Sequence, residues 1–146
     1  MFKEVMFLSQ FVAEKVIPQS NWAIISITEP GRIANLHCDW RDILRLQFHD
    51  IDAVTPGLTL FSEDQAKEIL TFLDRTKEKC TFLIVHCNAG ISRSAAVAKF
   101  VSETFKIPMT PRSVLYSRFV YRILSSLSKS GSSETERQKK GERYDS

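Results

Sequence analysis

Apolar positions along the chain alternate between the unbroken or two-residue runs of strands and the three- and four-residue spacing of helices. Phe2 to Leu8 reads as a strand. Ser9 is placed to cap a short helix from Gln10 to about Val16, and Pro18 stops it. Ala23-Ile24-Ile25-Ser26-Ile27 predicts a buried strand closed by the turn Glu29-Pro30-Gly31. Asp39 to Leu44 fits no single period, whereas Leu44-Arg45-Leu46-Gln47-Phe48 alternates as a strand should. A polar loop follows from His49 to Asp52, with a turn at Pro56-Gly57. Ser62 and Gln65 form a capping-box pattern, and Glu63 and Asp64 complement the dipole of a helix reaching about Lys79. Thr81 to Val85 is the next strand, followed by helices over about Arg93 to Phe105 and over Pro111 to Leu127, the latter capped by Thr110.

Strands alternating with helices predict an α/β fold: a single layered domain with a mainly parallel central sheet flanked by helices. Its ligand site is expected at the carboxyl ends of the strands. The domain is expected to span residues 1–127. From Ser128 to Ser146 the chain is Lys, Ser, Gly, Glu and Arg with almost nothing apolar, which predicts a disordered tail.

With 146 residues, 43% hydrophobic and 25% charged, the chain has the makeup of one compact domain. A formal net charge of +3, without a basic run, argues against nucleic acid as a partner. No apolar stretch reaches the roughly 20 residues of a membrane span, and Lys3 and Glu4 interrupt the N-terminus where a secretory segment would be apolar. A cytoplasmic monomer is the expectation. Cys38, Cys80 and Cys87 have no metal-like spacing. Cys80 and Cys87 flank one strand, about 23 Å apart, too far for a disulfide. Whether Cys38 approaches Cys87 is left to the fold.

The chemistry concentrates in His86-Cys87-Asn88-Ala89-Gly90-Ile91-Ser92-Arg93-Ser94, between the strand and the helix. Backbone N–H groups of such a loop and of the helix N-terminus can converge on one oxyanion. Arg93 offers a planar fork of donors. A cation opening a helix is unfavourable unless an anion is bound there. Cys87 lies beneath the anion, in a field that favours its thiolate. Gly90 permits the backbone to turn N–H groups inward.

The His-Cys pair with an arginine six positions after the cysteine resembles the signature of cysteine-based protein tyrosine phosphatases, and the full string resembles their dual-specificity branch. The likeness runs from about Ala23 to Phe105. It implies Cys87 as nucleophile, forming a phosphocysteine that water hydrolyses, and Arg93 as the ligand of the phosphoryl oxygens. It implies Ser94 as the hydroxyl that hydrogen-bonds the thiolate, and His86 as the residue that orders the loop. Asn88, Ala89, Gly90, Ile91 and Ser92 would supply backbone donors. By position after a strand, Asp50 resembles the general acid, with Asp52 close behind. The Trp-Pro-Asp triplet of the larger tyrosine phosphatases is missing, so the two stay open. An ionised cysteine working with a protonated aspartic acid implies a bell-shaped, mildly acidic pH–rate profile.

The resemblance implies a phosphoprotein or phosphopeptide substrate carrying phosphotyrosine, and leaves tyrosine-only and dual specificity, with phosphoserine or phosphothreonine as well, both open. It implies no cofactor, no metal and no membrane; His37, His49 and His86 are scattered. Two other functions share the cradle: a phosphate-binding pseudophosphatase without turnover, which typically loses the cysteine, and a rhodanese-like sulfurtransferase, which has no use for a general acid. The segment from Ser113 to Leu127, with Tyr116, Phe119 and Tyr121, is expected to be a core-packing helix rather than a docking surface.

Overall fold

The computed structural model describes residues 1–130. Five strands form one sheet: β1 (Glu4–Ser9), β2 (Trp22–Thr28), β3 (Asp42–Gln47), β4 (Phe82–Cys87) and β5 (Met109–Thr110), in the order β3-β2-β4-β1-β5. Every pairing is parallel, so all carboxyl ends meet at one edge. β4 lies at the centre, with Ile84 opposite Met6 of β1 and Ile24 of β2. The expected single-domain α/β architecture is what the chain adopts.

The apolar runs of β2 and β4 are explained by burial on both faces. Ile25, Ile27, Leu83 and Val85 join the larger core, shared with α2 (Glu63–Thr76) and α3 (Arg93–Phe105). Ile24 and Ile84 face the other way, against Ala13 and Trp40. The short α1 (Gln10–Ala13) starts where expected, its N-cap Ser9 accepting the Val12 N–H at 3.3 Å. The capping box of α2 is present in both directions, each bond 3.2 Å. Burying a large aliphatic or aromatic side chain in such a core contributes about 1.5–3 kcal/mol.

Two expectations about the end of the chain are corrected. Thr110 does not cap a helix; it pairs with Met6 in the two-residue strand β5. With Thr110 held in the sheet, residues 111–117 run without helix, and α4 begins at residue 118 and covers 118–130. Its cap is Ser117, whose hydroxyl accepts the Val120 N–H at 3.2 Å. The predicted tail also starts too early, since residues 128–130 continue α4. The remainder of that tail, 131–146, lies outside the described residues. No helix among the described residues is long and apolar enough to cross a membrane.

Candidate active site

Three loops at the carboxyl edge converge: the one after β2 brings Glu29, the one after β3 brings Phe48 and Asp50, and the one after β4 is residues 88–92. β4 delivers His86 and Cys87 to this edge, in register with Leu8 and Ser9 of β1. The loop then turns at Gly90, whose φ is +69°. A Cβ there would lie 2.4 Å from the Ser9 nitrogen and 2.5 Å from the Leu8 carbonyl carbon. Glycine is required twice over, by the left-handed backbone and by the closeness of β1. The Gln10 N–H donates to the Asn88 carbonyl at 3.2 Å and fastens the loop to α1.

The helices α2 and α3 treat their N-termini differently. α2 has its capping box and two acidic residues in the first turn. α3, which opens at Arg93, has no side-chain cap and no acidic residue in its first turn. Its first N–H groups are therefore left for another acceptor, at the positive end of the dipole.

Arg93 is held rather than swinging free. Its side chain is 5% exposed; Nη1 donates to the Phe48 carbonyl at 2.8 Å and Nη2 to Glu29 Oε1 at 3.0 Å. Burial alone would raise the Glu29 carboxyl, but a backbone hydrogen bond and the Arg93 charge hold it below the usual range. The loop carrying Glu29 is itself tied down, Thr28 Oγ1 and Gln47 Nε2 both donating to the Arg32 carbonyl. Arg93 Nε–H is buried with no acceptor among the protein's own groups. Leaving a buried donor unpaired costs about 1–3 kcal/mol; an oxyanion in the loop relieves that cost.

Cys87 is buried, with Ser94 Oγ 3.1 Å from its Sγ. Burial would push its pKa up. Hydrogen bonds from the Ser94 hydroxyl, the Ser94 N–H and the Gly90 N–H, together with the Arg93 charge, more than offset this and bring it below the ordinary thiol value. The thiol at the floor of the loop is thus more readily ionised than Cys80, which burial pushes the other way. Cys38 is exposed and belongs to the opposite edge of the sheet, beside Trp40 and Leu36, which pack with Trp22 and Phe82. Neither cysteine reaches Cys87. Among the described residues, His37, Cys38 and Asp39 alone bring three metal-ligand types within 4.8 Å, and hydrogen bonds among themselves occupy them.

His86 Nε2 lies 2.6 Å from Ser26 Oγ, and Nδ1 lies 3.4 Å from the Cys87 carbonyl. A carbonyl only accepts, so Nδ1 carries the proton and Nε2 accepts from Ser26. Burial lowers the His86 pKa from its ordinary 6.5, against the Cys87 hydrogen bond, which raises it. Below about pH 6.5 the unfolded chain takes up a proton that the folded chain refuses. Acid therefore destabilises the fold until pH passes the lowered folded value. Urea-unfolding midpoints are expected to fall more steeply between about pH 7 and pH 5 in the wild type than in His86→Asn; parallel curves would count against a buried neutral His86.

Asp50 and Asp52 separate here. Ser92 Oγ donates to Asp50 Oδ1 at 3.0 Å, which brings Asp50 to the mouth of the loop. Asp52 makes no such contact with residues 86–94. His49 closes the base of the acid loop: its N–H donates to the Thr59 carbonyl at 2.8 Å and its Nδ1 accepts the Thr59 N–H at 2.9 Å.

The fold brings together His86, Cys87, residues 88–92, Arg93, Ser94 and Asp50, all named from the sequence. Glu29, Ser26 and the Phe48 carbonyl were not foreseen. Ser26 had a signal, a lone hydroxyl in an otherwise apolar strand; Glu29 had none, because a turn accounts for it fully. A scan against protein-family models finds no match for this chain, and a search of curated proteins finds none either. An ionisable thiol, an uncapped helix N-terminus, a fixed guanidinium and a carboxyl at the mouth are suited to in-line transfer of a tetrahedral oxyanion group onto sulfur.

Proposed function

We propose that this chain is a cysteine-dependent phosphomonoester hydrolase acting on phosphotyrosine, and on phosphoserine or phosphothreonine, in proteins. The observation that carries the reading is the low-pKa Cys87 under an uncapped helix N-terminus with Arg93 pinned beside it. In this mechanism the Cys87 thiolate attacks phosphorus while Asp50 gives its proton to the leaving oxygen. The S–P bond forms as the P–O bond breaks, and the three non-bridging oxygens are held by loop N–H groups and by Arg93. Asp50, now ionised, takes a proton from water as that water attacks phosphorus. Cys87 leaves as a thiolate, stabilised by the Ser94 hydroxyl. The Asp50 link to Ser92 favours it over Asp52 as the proton donor.

Turnover of phosphotyrosine peptide in reducing buffer containing a chelator tests this reading. Asp50→Ala is expected to lower kcat by about 100-fold, while Asp52→Ala stays within a few-fold of wild type. The opposite order would move the acid to Asp52. Reduced wild-type protein without turnover would leave phosphate binding as the function, and turnover with undiminished rate in both variants would remove the general acid from the mechanism.

A further inference from the structure

Eight large apolar side chains among the described residues are more than half exposed. Six of them stand on segments that leave the carboxyl ends of the strands, and every strand supplies at least one. Phe11 follows β1, Ile33 follows β2, Val54 follows β3, Ile91 follows β4, and Val114 and Leu115 follow β5. Apolar residues scattered singly over a surface need no explanation, but a concentration at one edge does. Anion binding does not explain it. The loop needs only the backbone of Ile91, and yet that residue carries a large side chain into solvent.

These side chains are presented on braced backbone. The Arg32 carbonyl, next to Ile33, accepts from Thr28 Oγ1 at 2.7 Å and from Gln47 Nε2 at 3.0 Å, which holds Ile33 near the ends of β2 and β3. The bond from the Gln10 N–H to Asn88 seats Phe11 next to the anion loop. Val54 lies in a turn where Thr55 Oγ1 donates to the Ala53 carbonyl at 3.0 Å. Ser113 Oγ accepts the Leu115 N–H and donates to the Leu115 carbonyl, each at 3.0 Å. Two residues further on, the Ser117 N–H reaches the Ser92 carbonyl at 3.1 Å. A surface held in this way loses little freedom when it is covered.

The strand order β3-β2-β4-β1-β5 puts Ile91 at the centre of this rim, with Val54 and Ile33 to one side and Phe11, Val114 and Leu115 to the other. Strands lie about 4.8 Å apart, so two intervals reach about 10 Å each way, the length of about three extended residues. A phosphoresidue seated over Cys87 therefore carries its neighbours onto the rim in both directions. A second copy of the chain placed here would shut the anion loop. A bilayer is disfavoured by charge: Asp50 and Asp52 share this edge, whereas anionic headgroups are drawn to basic surfaces.

We infer that this rim binds the residues flanking the phosphoresidue, and that substrate segments carry large aliphatic or aromatic side chains within about three positions of it. The inference rests on the phosphatase reading and names its substrate class: apolar phosphorylated segments of protein.

Two phosphotyrosine peptides of equal length and net charge test it, one flanked by leucine and phenylalanine, the other by serine and glutamine. A small aryl phosphate is run beside them. The apolar peptide is expected to exceed the polar one in kcat/KM by about tenfold, equivalent to about 1.4 kcal/mol. The gain is expected to persist in added salt, because charge does not produce it. In Phe11→Gln/Ile33→Gln/Val114→Gln the ratio is expected to fall to near one, while the aryl phosphate, too small to reach the rim, turns over as in the wild type. Equal kcat/KM for both peptides in the wild type, or a ratio that survives in the triple variant, overturns the inference. If the peptides are equal and the wild type, but not the triple variant, cosediments with vesicles of phosphatidylcholine and phosphatidylserine, the rim is a membrane surface instead. Failure to hydrolyse the aryl phosphate overturns the phosphatase reading. Calorimetric binding of the two peptides to Cys87→Ser then decides the rim, tenfold tighter binding of the apolar peptide supporting it and equal binding overturning it.

Discussion

Cys87→Ser is expected to reduce phosphomonoester hydrolysis by at least about 10⁴-fold, with an unchanged unfolding midpoint. The exchange of sulfur for oxygen is nearly isosteric, and the contact with Ser94 Oγ, 3.1 Å in the wild type, has a hydroxyl to replace it. Packing is therefore conserved while chemistry is lost. The hydrogen bonds and the Arg93 charge that bring the thiol below its ordinary pKa act on a group that starts near the physiological range. The same set of donors cannot ionise an alcohol to a useful extent. Sulfur is also the better leaving group in the second step, so a serine that did react would stall. Initial rates with an aryl phosphate, beside urea denaturation, check both halves. A variant retaining more than about one per cent of wild-type kcat would overturn the assignment of the nucleophile.

Arg93→Lys is expected to cost about 10³-fold in kcat although the charge is kept. The loss comes from geometry. Arg93 is held at two points, by the Phe48 carbonyl and by Glu29, and still has an unpaired Nε–H to aim at an anion. Lysine has a single nitrogen, which cannot satisfy both anchors and also reach the phosphoryl oxygens. Glu29 would then be a carboxylate whose partner has gone, half-buried against the site. Steady-state kinetics separate this from simple loss of affinity: kcat falls with kcat/KM if the contact strengthens in the transition state. A rise in KM at constant kcat would mean that Arg93 only binds the ground state.

How much of this was legible in the sequence follows from distance along the chain. The cradle, residues 86–94, is contiguous, so its strand, loop and helix start could be read together. The α2 capping box was equally local, two side chains three residues apart. The partners that fix Arg93 are 45 and 64 residues away, and no spacing rule reports on them. The choice between Asp50 and Asp52 likewise turns on a hydrogen bond spanning 42 residues. The misplaced start of α4 has a different cause. Thr110-Pro111 has the chemistry of a helix cap, but pairing with β1 takes Thr110 into the sheet, and the next residue able to cap is Ser117. That shift moves Tyr116 and Ser117 out of a helix and against the anion loop, where they line a cleft, while the helix itself packs on the core through Val120 and Leu124 as expected.

The most direct test of the central claim is to look for the phosphoryl group on sulfur. With an aryl phosphate whose leaving group needs no proton, Asp50→Ala should form the intermediate normally but hydrolyse it slowly, because the base for water is missing. Acid quenching during turnover, followed by peptide mapping, is expected to find one phosphoryl group per chain, on Cys87. Turnover with the phosphoryl group on another residue, or with no covalent intermediate at all, would contradict the account.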